Sequence, residues 1–153
     1  MIAIPKAVEY ALMAIREMAG AEPGRVFAVR GLCEQHGVPF DVMSRALQRL
    51  QRVGVVRAVR GVLGGYQLSR APGSVTLLEV CEAVSGPLKP VRCLAKAGDC
   101  PRATRCTLVG SMRSLDERMR AFYADIPVGD LLNENGRRAP RRRRVAAATG
   151  GSR

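Results

Sequence analysis

The pattern of hydrophobic and polar positions predicts three short helices at the start of the chain. From Pro5 to Ala19, apolar residues recur at steps of three and four, the period of an amphipathic helix, and Pro5 suits its first turn. A second helix is expected to stop at Gly37, where "HGVPF" forms a turn. A third helix is expected to begin near Asp41, a good N-cap residue, and to end at Gly54.

The second and third predicted helices, joined by a short turn, form a candidate helix-turn-helix. In such a motif the second helix enters the major groove of DNA. Here that helix carries a polar face with Arg45, Gln48, Arg49 and Arg52. Because many small helical proteins show the same pattern, the motif alone is equally consistent with a purely structural helix pair.

The segment after the third helix favours DNA binding. "VVRAVRG" and "GYQLSR" are β-prone runs joined across "GVLG", and glycines supply the turn conformations that other residues resist. A hairpin directly after a candidate recognition helix is the layout of a winged helix. Arg57, Arg60 and Arg70 would border the hairpin and clasp phosphates or enter a minor groove. The alternative is an ordinary hairpin with solvated arginines.

Two further helices are predicted. "SVTLLEVCEAVSGPL" should form a helix that starts near Ser74 or Thr76, ends at Gly86 and buries Cys81 on its apolar face. Downstream, apolar residues form a heptad seam suited to pairing between two subunits, with packing inside one domain as the alternative. The seam consists of Leu108, Met112, Leu115, Met119 and Phe122.

Composition and charge add a basic tail and favour a cytoplasmic location. The formal net charge of the 153 residues is +12, and removing the seven arginines of the acid-free segment Gly136 to Arg153 leaves +5. This segment has the composition of a disordered arm that either attracts phosphates or only aids solubility. The start of the chain lacks a signal-peptide pattern, and no apolar run reaches the roughly 18 residues of a membrane span.

Five cysteines in a cytoplasmic protein are more typical of metal ligands, catalytic groups or buried thiols than of disulfides. Three of them, Cys93, Cys100 and Cys106, lie within fourteen residues. Structural zinc sites usually draw on close CxxC pairs, whereas intervals of six and five residues suit a loop that wraps an iron-sulfur cluster. The spacing therefore favours a cluster, with zinc and a metal-free set of thiols as alternatives.

The run "GVPFDVMSRALQRLQRVGVVRAVRGVLGGYQLSR", with the cysteine loop and long helix after it, resembles the IscR and NsrR family of iron-sulfur winged-helix transcriptional regulators. The resemblance to this family, also called Rrf2, covers about residues 5–132. Its most specific parts are "RGVLGGY" and the cysteine triad. It implies a mainly α fold with a small β-hairpin wing: a winged helix-turn-helix (1–86), a cluster-binding loop (87–107) and a dimerisation helix with an end segment (108–132). Composition, and not the resemblance, predicts the disordered basic tail (133–153).

The resemblance also implies which residues contact DNA and the cluster. On the third helix, relatives choose their DNA site at the positions of Asp41, Ser44 and Arg45, and the exposed face continues with Gln48 and Arg49. The wing that enters the minor groove would comprise Arg60, Gly61, Gly64, Gly65 and Tyr66. The cluster ligands would be Cys93, Cys100 and Cys106, although six residues separate the first two where many relatives have five. A [4Fe-4S] cluster is favoured over [2Fe-2S].

Three cysteines leave one iron of a [4Fe-4S] cluster without a protein thiolate. His36 is expected at an exposed helix end, Asp99 directly adjoins Cys100, and Cys33 suits a buried helix face, so none of the three is a good ligand. Glu9 is favoured, because some relatives supply a carboxylate from this position of the partner subunit. The alternative is that Glu9 is simply one polar residue of an amphipathic helix.

The sequence thus predicts a cytoplasmic homodimer that binds a double-stranded DNA operator with an affinity that depends on the cluster. By resemblance it is a repressor that senses nitric oxide, redox or iron-sulfur status, and it is not an enzyme. One alternative is a cluster-free regulator of the same fold that senses cysteine oxidation or a small ligand. A thiol redox enzyme is less favoured, because the chain has no CxxC pair and a single histidine.

Overall fold

The computed structural model describes residues 4–89, 91, 100 and 105–133. These residues form six α-helices and one antiparallel β-hairpin, which confirms the predicted mainly α fold with a small hairpin. In chain order the elements are α1 (Lys6–Ala19), α2 (Val29–His36), α3 (Phe40–Arg52), β1 (Val56–Val59), β2 (Gly65–Leu68), α4 (Leu77–Ser85), α5 (Val109–Ala124) and α6 (Val128–Leu132).

The hydrophobic core lies where α1, α3 and α4 pack together. Each of these helices places apolar side chains at helical spacing on one face, and burial of those faces against one another drives their packing. Leu32 of α2 and Val128 of α6 belong to the same core. The largest fully buried side chains of the three central helices are Val8, Ile15, Met43, Leu47, Leu50, Val80 and Val84.

Helix ends follow the sequence signals at most positions. Gly37 ends α2 in the left-handed conformation, with φ of 64°, and Thr76 caps α4 by accepting a hydrogen bond from the Glu79 N–H at 3.1 Å. The predicted N-cap at Asp41 was wrong, because α3 begins at Phe40 directly after an extended Pro39. Asp41 instead lies in the first turn, where the positive end of the helix dipole stabilises its carboxylate.

The hairpin is joined to the helical body by a third backbone segment. Strands β1 and β2 pair from Val56 with Leu68 to Val59 with Gly65, and we call residues 56–68 the wing. On its other side, Tyr66 exchanges two backbone hydrogen bonds with Phe27, at 2.8 and 2.9 Å. A Cβ on Gly65 would lie 2.2 Å from the Phe27 carbonyl oxygen, so only glycine permits this close approach.

The C-terminal part of the described chain packs back on α4. The Leu77 N–H donates to the Ile126 carbonyl oxygen, and the Val128 N–H donates to that of Val75, both at 2.8 Å. In contrast with the core helices, α5 has no buried residue. Most of the predicted cysteine loop and all but Asn133 of the predicted tail lie outside the described residues. No helix in the described ranges is long and apolar enough to cross a membrane.

Candidate nucleic-acid interface and cysteine loop

The outer face of α3 presents a stripe of polar side chains, which we call the α3 stripe: Asp41, Ser44, Arg45, Gln48 and Arg52. At 3.6 residues per turn these positions fall on one side of the helix, opposite its buried apolar residues. All but the half-buried Ser44 are exposed. The Gln48 amide nitrogen donates to the Ser44 hydroxyl at 3.3 Å, which orients both groups along the helix. The stripe therefore offers donors and acceptors to an outside partner.

Arg49 lies at the edge of the α3 stripe and contacts the protein itself. Its guanidinium donates a hydrogen bond to the carbonyl oxygen of Val84, in the last turn of α4. A cation at the C-terminal end of a helix is favoured by the helix dipole and satisfies a carbonyl that has no partner within the helix. Arg49 thus links α3 directly to the end of α4, a contact that the sequence pattern did not predict.

The turn of the wing is shaped by its glycines. Gly61 has φ of 125°, and the Gly64 N–H donates to the Gly61 carbonyl oxygen at 2.9 Å. A Cβ on Gly64 would lie 2.6 Å from the Val59 carbonyl oxygen, which excludes any larger residue without a backbone shift. Arg60 enters the turn with an exposed side chain. Gly61, Gly64 and Gly65 therefore shape the wing, whatever contacts it makes.

The other two arginines beside the wing contact protein groups. Hydrogen bonding assigns the Gln67 side chain the orientation in which its amide oxygen faces Arg57. This oxygen accepts a hydrogen bond from Nη2 of the Arg57 guanidinium at 2.7 Å, and the amide nitrogen donates to the Gly24 carbonyl oxygen at 2.6 Å. Arg70 forms an ion pair with Glu79 of α4 at 2.5 Å and also donates to the Ser74 carbonyl oxygen. Arg70 thus fastens the end of the wing to α4.

The four described cysteines fall into two classes. Cys33 and Cys81 are buried in the core, as predicted for both, and burial raises the pKa of each thiol. Cys100 and Cys106 are half-buried free thiols, and Cys106 lies three residues before the first residue of α5. Cys93, the remaining member of the predicted triad, lies outside the described residues. The structure therefore distinguishes core thiols from loop thiols.

The candidates for a fourth ligand have different surroundings. Glu9 lies in the first turn of α1, where its carboxylate is 37% exposed and accepts a 2.6 Å hydrogen bond that raises the pKa of Lys6. The His36 ring, expected to be exposed, is only 20% exposed, and its Nε2 lies 3.4 Å from the Glu17 carboxylate. Asp99 lies outside the described residues. Of the ligand candidates with described positions, Glu9 offers a partly exposed carboxylate, whereas the His36 ring is mostly buried and Cys33 is buried.

A charged fork holds the entrance of the cysteine loop, and sequence reasoning missed it. The Glu82 carboxylate of α4 accepts from the Leu88 N–H at 3.1 Å and lies 2.8 Å from Nη1 of Arg120 on α5. The same Arg120 nitrogen donates to the Leu88 carbonyl oxygen at 2.7 Å. Both backbone groups of Leu88 are therefore fixed between α4 and α5, five residues before Cys93. No sequence motif marks these three residues.

A helix-turn-helix followed at once by a hairpin wing defines a winged-helix regulator of transcription. A family model described as an iron-dependent transcriptional regulator, Rrf2, matches residues 4–134. The chain therefore belongs to the Rrf2 family. It is 33% identical over 125 residues to the HTH-type transcriptional regulator IscR of Klebsiella pneumoniae, covering 81% of this chain and 76% of that protein. The IscR of Citrobacter koseri is 32% identical over the same shares.

Solved structures share the fold at lower identity. CymR, the global cysteine regulator of B. subtilis, superposes with a TM-score of 0.65 at 20% identity, covering 86% of this chain and 97% of that chain. IscR of T. potens superposes with a TM-score of 0.63 at 18% identity, covering 86% of each chain. These likenesses confirm the winged-helix fold.

Proposed function

We propose that the protein is a homodimeric, cytoplasmic repressor whose affinity for a double-stranded DNA operator depends on an iron-sulfur cluster. One observation carries the proposal: the uncovered α3 stripe and basic wing are joined through α4 to the entrance of a loop that bears separate, half-buried thiols. The stripe would enter the major groove and Arg60 the adjacent minor groove. The chain acts as a regulator and not as an enzyme, in keeping with its relatives' names.

The chemistry of the loop fits a cluster. Cys100 and Cys106 are free and not fully buried, and thiolates are the soft donors that iron-sulfur clusters require. With Cys93 they would supply three ligands, which favours a [4Fe-4S] cluster with one differently held iron. When bound, such a cluster supplies redox chemistry and an iron that can exchange its ligand with a small molecule. Nitric oxide, oxygen or the cell's iron-sulfur status would then be the signal.

Glu9 of the partner subunit is the proposed fourth ligand. Its carboxylate is partly exposed and its described hydrogen-bond partner is the exposed Lys6, a contact that is easily replaced. A hard oxygen donor holds iron less firmly than a thiolate does. Ligation by Glu9 would therefore leave one position of the cluster open to exchange, and this position would sense the signal.

The heptad seam along α5, which we call the α5 seam, is the proposed dimer contact. Leu108, Leu115 and Phe122 are 58%, 44% and 64% exposed, and Met112 and Met119 are half-buried. A continuous apolar strip without a partner on a small domain marks a contact with another chain. Pairing of two such helices would place two α3 stripes on one DNA duplex, with half-sites separated by about one helical turn, roughly 34 Å.

Helix α4 is the proposed path from the cluster loop to the DNA-binding surface. The charged fork fixes Leu88 at the loop entrance, and two residues beyond Glu82 the Val84 carbonyl accepts from Arg49 of α3. A change in the loop after cluster loss would therefore displace α4 and, through Arg49, the α3 stripe. A small change in the spacing of two recognition helices removes much of the specific binding of a dimer.

Anaerobic reconstitution with iron and sulfide tests the cluster. The wild-type protein should turn brown, and Cys93→Ala, Cys100→Ala or Cys106→Ala should each lose bound iron and sulfide while remaining folded. Cys33→Ala and Cys81→Ala are the matched controls and should retain the cluster, because these thiols lie in the core. Full retention of iron and sulfide by all three loop variants would contradict the ligand assignment. A colourless reconstituted wild type would favour the cluster-free regulator.

A mixed dimer tests Glu9. One subunit carries Glu9→Ala with all three loop cysteines, and its partner keeps Glu9 but has alanine in place of those cysteines. The single cluster should show the wild-type absorption and circular dichroism spectra, because the partner's carboxylate still reaches it. A spectrum equal to that of the Glu9→Ala homodimer would show that the carboxylate does not come from the partner. Identical spectra for wild type and Glu9→Ala homodimers would remove Glu9 from the site.

A further inference from the structure

The tip of the wing carries two aliphatic side chains that the protein leaves in solvent. Val62 is 105% exposed and Leu63 is 90% exposed, whereas the next most exposed large hydrophobic residue with a described position, Phe122, reaches 64%. Scattered exposed aliphatic residues are common on protein surfaces, but two adjacent ones at the end of a hairpin form a small projecting apolar surface. We call these two residues the wing tip.

The backbone around the wing tip prevents it from folding back on the protein. Gly61, at φ of 125°, and Gly64, hydrogen-bonded to it at 2.9 Å, close the turn on either side of the tip. At the base of the wing, Gly65 lies against Phe27, and Tyr66 is paired with the same residue. The wing tip is therefore held outward by a shaped turn on an anchored hairpin.

The charges beside the wing tip identify its partner as a polyanion. Arg60 precedes the turn, and Arg57 is exposed on β1, where Gln67 orients its guanidinium. A second copy of the chain would bring the same arginines against each other, and like charges oppose such a contact. The wing also follows α3 after only the three residues 53–55, so a duplex that receives the α3 stripe lies next to it.

We propose that Val62 and Leu63 enter the minor groove beside Arg60 and select A·T over G·C base pairs at that position. This inference rests on the proposed DNA-binding function. In the minor groove, G·C pairs differ from A·T pairs by the guanine N2 amino group. An aliphatic side chain offers that amino group no acceptor and occupies the space it needs, so a G·C pair under the wing tip leaves a buried donor unsatisfied. The wing tip thus adds selectivity to the charge supplied by Arg60.

Inosine substitution separates this minor-groove selection from readout by α3. A preferred duplex is first selected from a randomised library with the cluster-loaded wild type, and hydroxyl-radical footprinting locates the A·T pairs under the wing. Replacing those pairs by G·C should weaken binding about tenfold, within the usual cost of one wrong base pair. Replacing them by inosine·cytosine should leave affinity within about twofold, because inosine lacks the N2 amino group and matches A·T in the minor groove.

The variant Val62→Ser/Leu63→Ser should reduce the tenfold discrimination to about twofold or less, since serine hydroxyls accept from the guanine amino group. Leu131→Ser is the matched control, because Leu131 is an exposed apolar residue on α6, and this variant should keep the full discrimination. Discrimination unchanged in the double variant, or inosine·cytosine bound as weakly as G·C, would overturn the inference.

Two further results are distinguishable from these. A wild-type protein that selects no duplex would overturn the proposed function itself, whereas a selected duplex with unchanged discrimination in the double variant overturns the wing-tip inference alone. Sedimentation without DNA tests the alternative that the wing tip contacts a second copy of the chain. The double variant should keep the wild-type oligomeric state, and its conversion to monomer would show that the wing tip contacts a second copy and not DNA.

Discussion

Helices α3 and α5 are both amphipathic, yet the single chain buries the apolar face of only one of them. Helix α3 places four residues in the core, Met43, Ala46, Leu47 and Leu50, and turns its polar stripe outward. Helix α5 is longer and has no buried residue, and three of the five residues of its apolar seam, Leu108, Leu115 and Phe122, are exposed. The comparison shows that the core of one subunit holds α3 in place, and it supports the proposal that a second subunit covers α5.

Truncating one leucine in each helix should have the largest effects, and the two effects should differ in kind. Leu47→Ala should lower the free energy of unfolding by about 2–5 kcal/mol at any protein concentration, because Leu47 is fully buried. Leu115→Ala should instead weaken dimerisation, so that its effect on unfolding depends on protein concentration. Urea denaturation at several concentrations, together with sedimentation velocity, measures both effects. A concentration-independent loss in Leu115→Ala with an intact dimer would place the α5 seam inside one domain.

The loop cysteines should react faster with a thiol reagent than the core cysteines. In the metal-free protein, iodoacetamide should alkylate Cys100 and Cys106 at least about tenfold faster than Cys33 and Cys81, since the thiolate is the nucleophile. Burial raises the pKa of both core thiols, so their thiolate fraction at neutral pH is low and their alkylation should quicken as pH rises through the raised pKa. Mass spectrometry of timed samples measures each site.

Equal alkylation rates at all four described cysteines would contradict the division between core and loop thiols. Denatured protein is the control, because unfolding exposes every thiol and should remove the difference.

The contact between α3 and α4 should have a smaller, measurable effect. Arg49→Ala removes the charged donor to the Val84 carbonyl oxygen and should cost about 1.5 kcal/mol of unfolding free energy. Arg45→Ala is the control for stability: this neighbouring arginine lies on the exposed α3 stripe, and its loss should stay within about 0.5 kcal/mol. Equal losses in the two variants, by urea denaturation, would mean that Arg49 does not link the helices.

The cap of α4 should give the smallest effect. Thr76→Ala removes the acceptor of the Glu79 N–H and should cost about 1 kcal/mol, whereas Thr76→Ser keeps an acceptor and should lose only a fraction of that. Thermal unfolding followed by circular dichroism compares the two variants. If serine and alanine were equally destabilising, the threonine methyl group and not the cap would stabilise this end.

The sequence was sufficient for the features that depend on local pattern. Helical periodicity, the glycine at position 37 and the glycine-rich turn of the wing predicted α1 to α5 and the hairpin, but not the short α6. Apolar spacing predicted the burial of Cys81. Asp41 was misassigned as a cap because two signals compete there. Pro39 has a fixed φ and an extended backbone, so it ends the preceding turn and lets the helix begin at Phe40.

The contacts that tie the site together were not predictable, because they join residues far apart in the chain. Arg49 and Val84 are 35 residues apart, and Arg120 and Leu88 are 32 apart. The residues around an arginine in the sequence do not predict which carbonyl oxygen its guanidinium will bind after folding. The same holds for Gln67, a buried polar residue whose partners come from the opposite strand and from the loop after α1.

The most direct test of the account is the operator affinity of one preparation measured with and without its cluster, at a fixed salt concentration. Fluorescence anisotropy with the selected duplex should show at least about tenfold weaker binding after cluster removal, in the range of ordinary allosteric coupling. Cys100→Ala should bind as the cluster-free wild type does. Equal affinity of the two forms of the wild type would contradict the claim that the cysteine loop controls DNA binding.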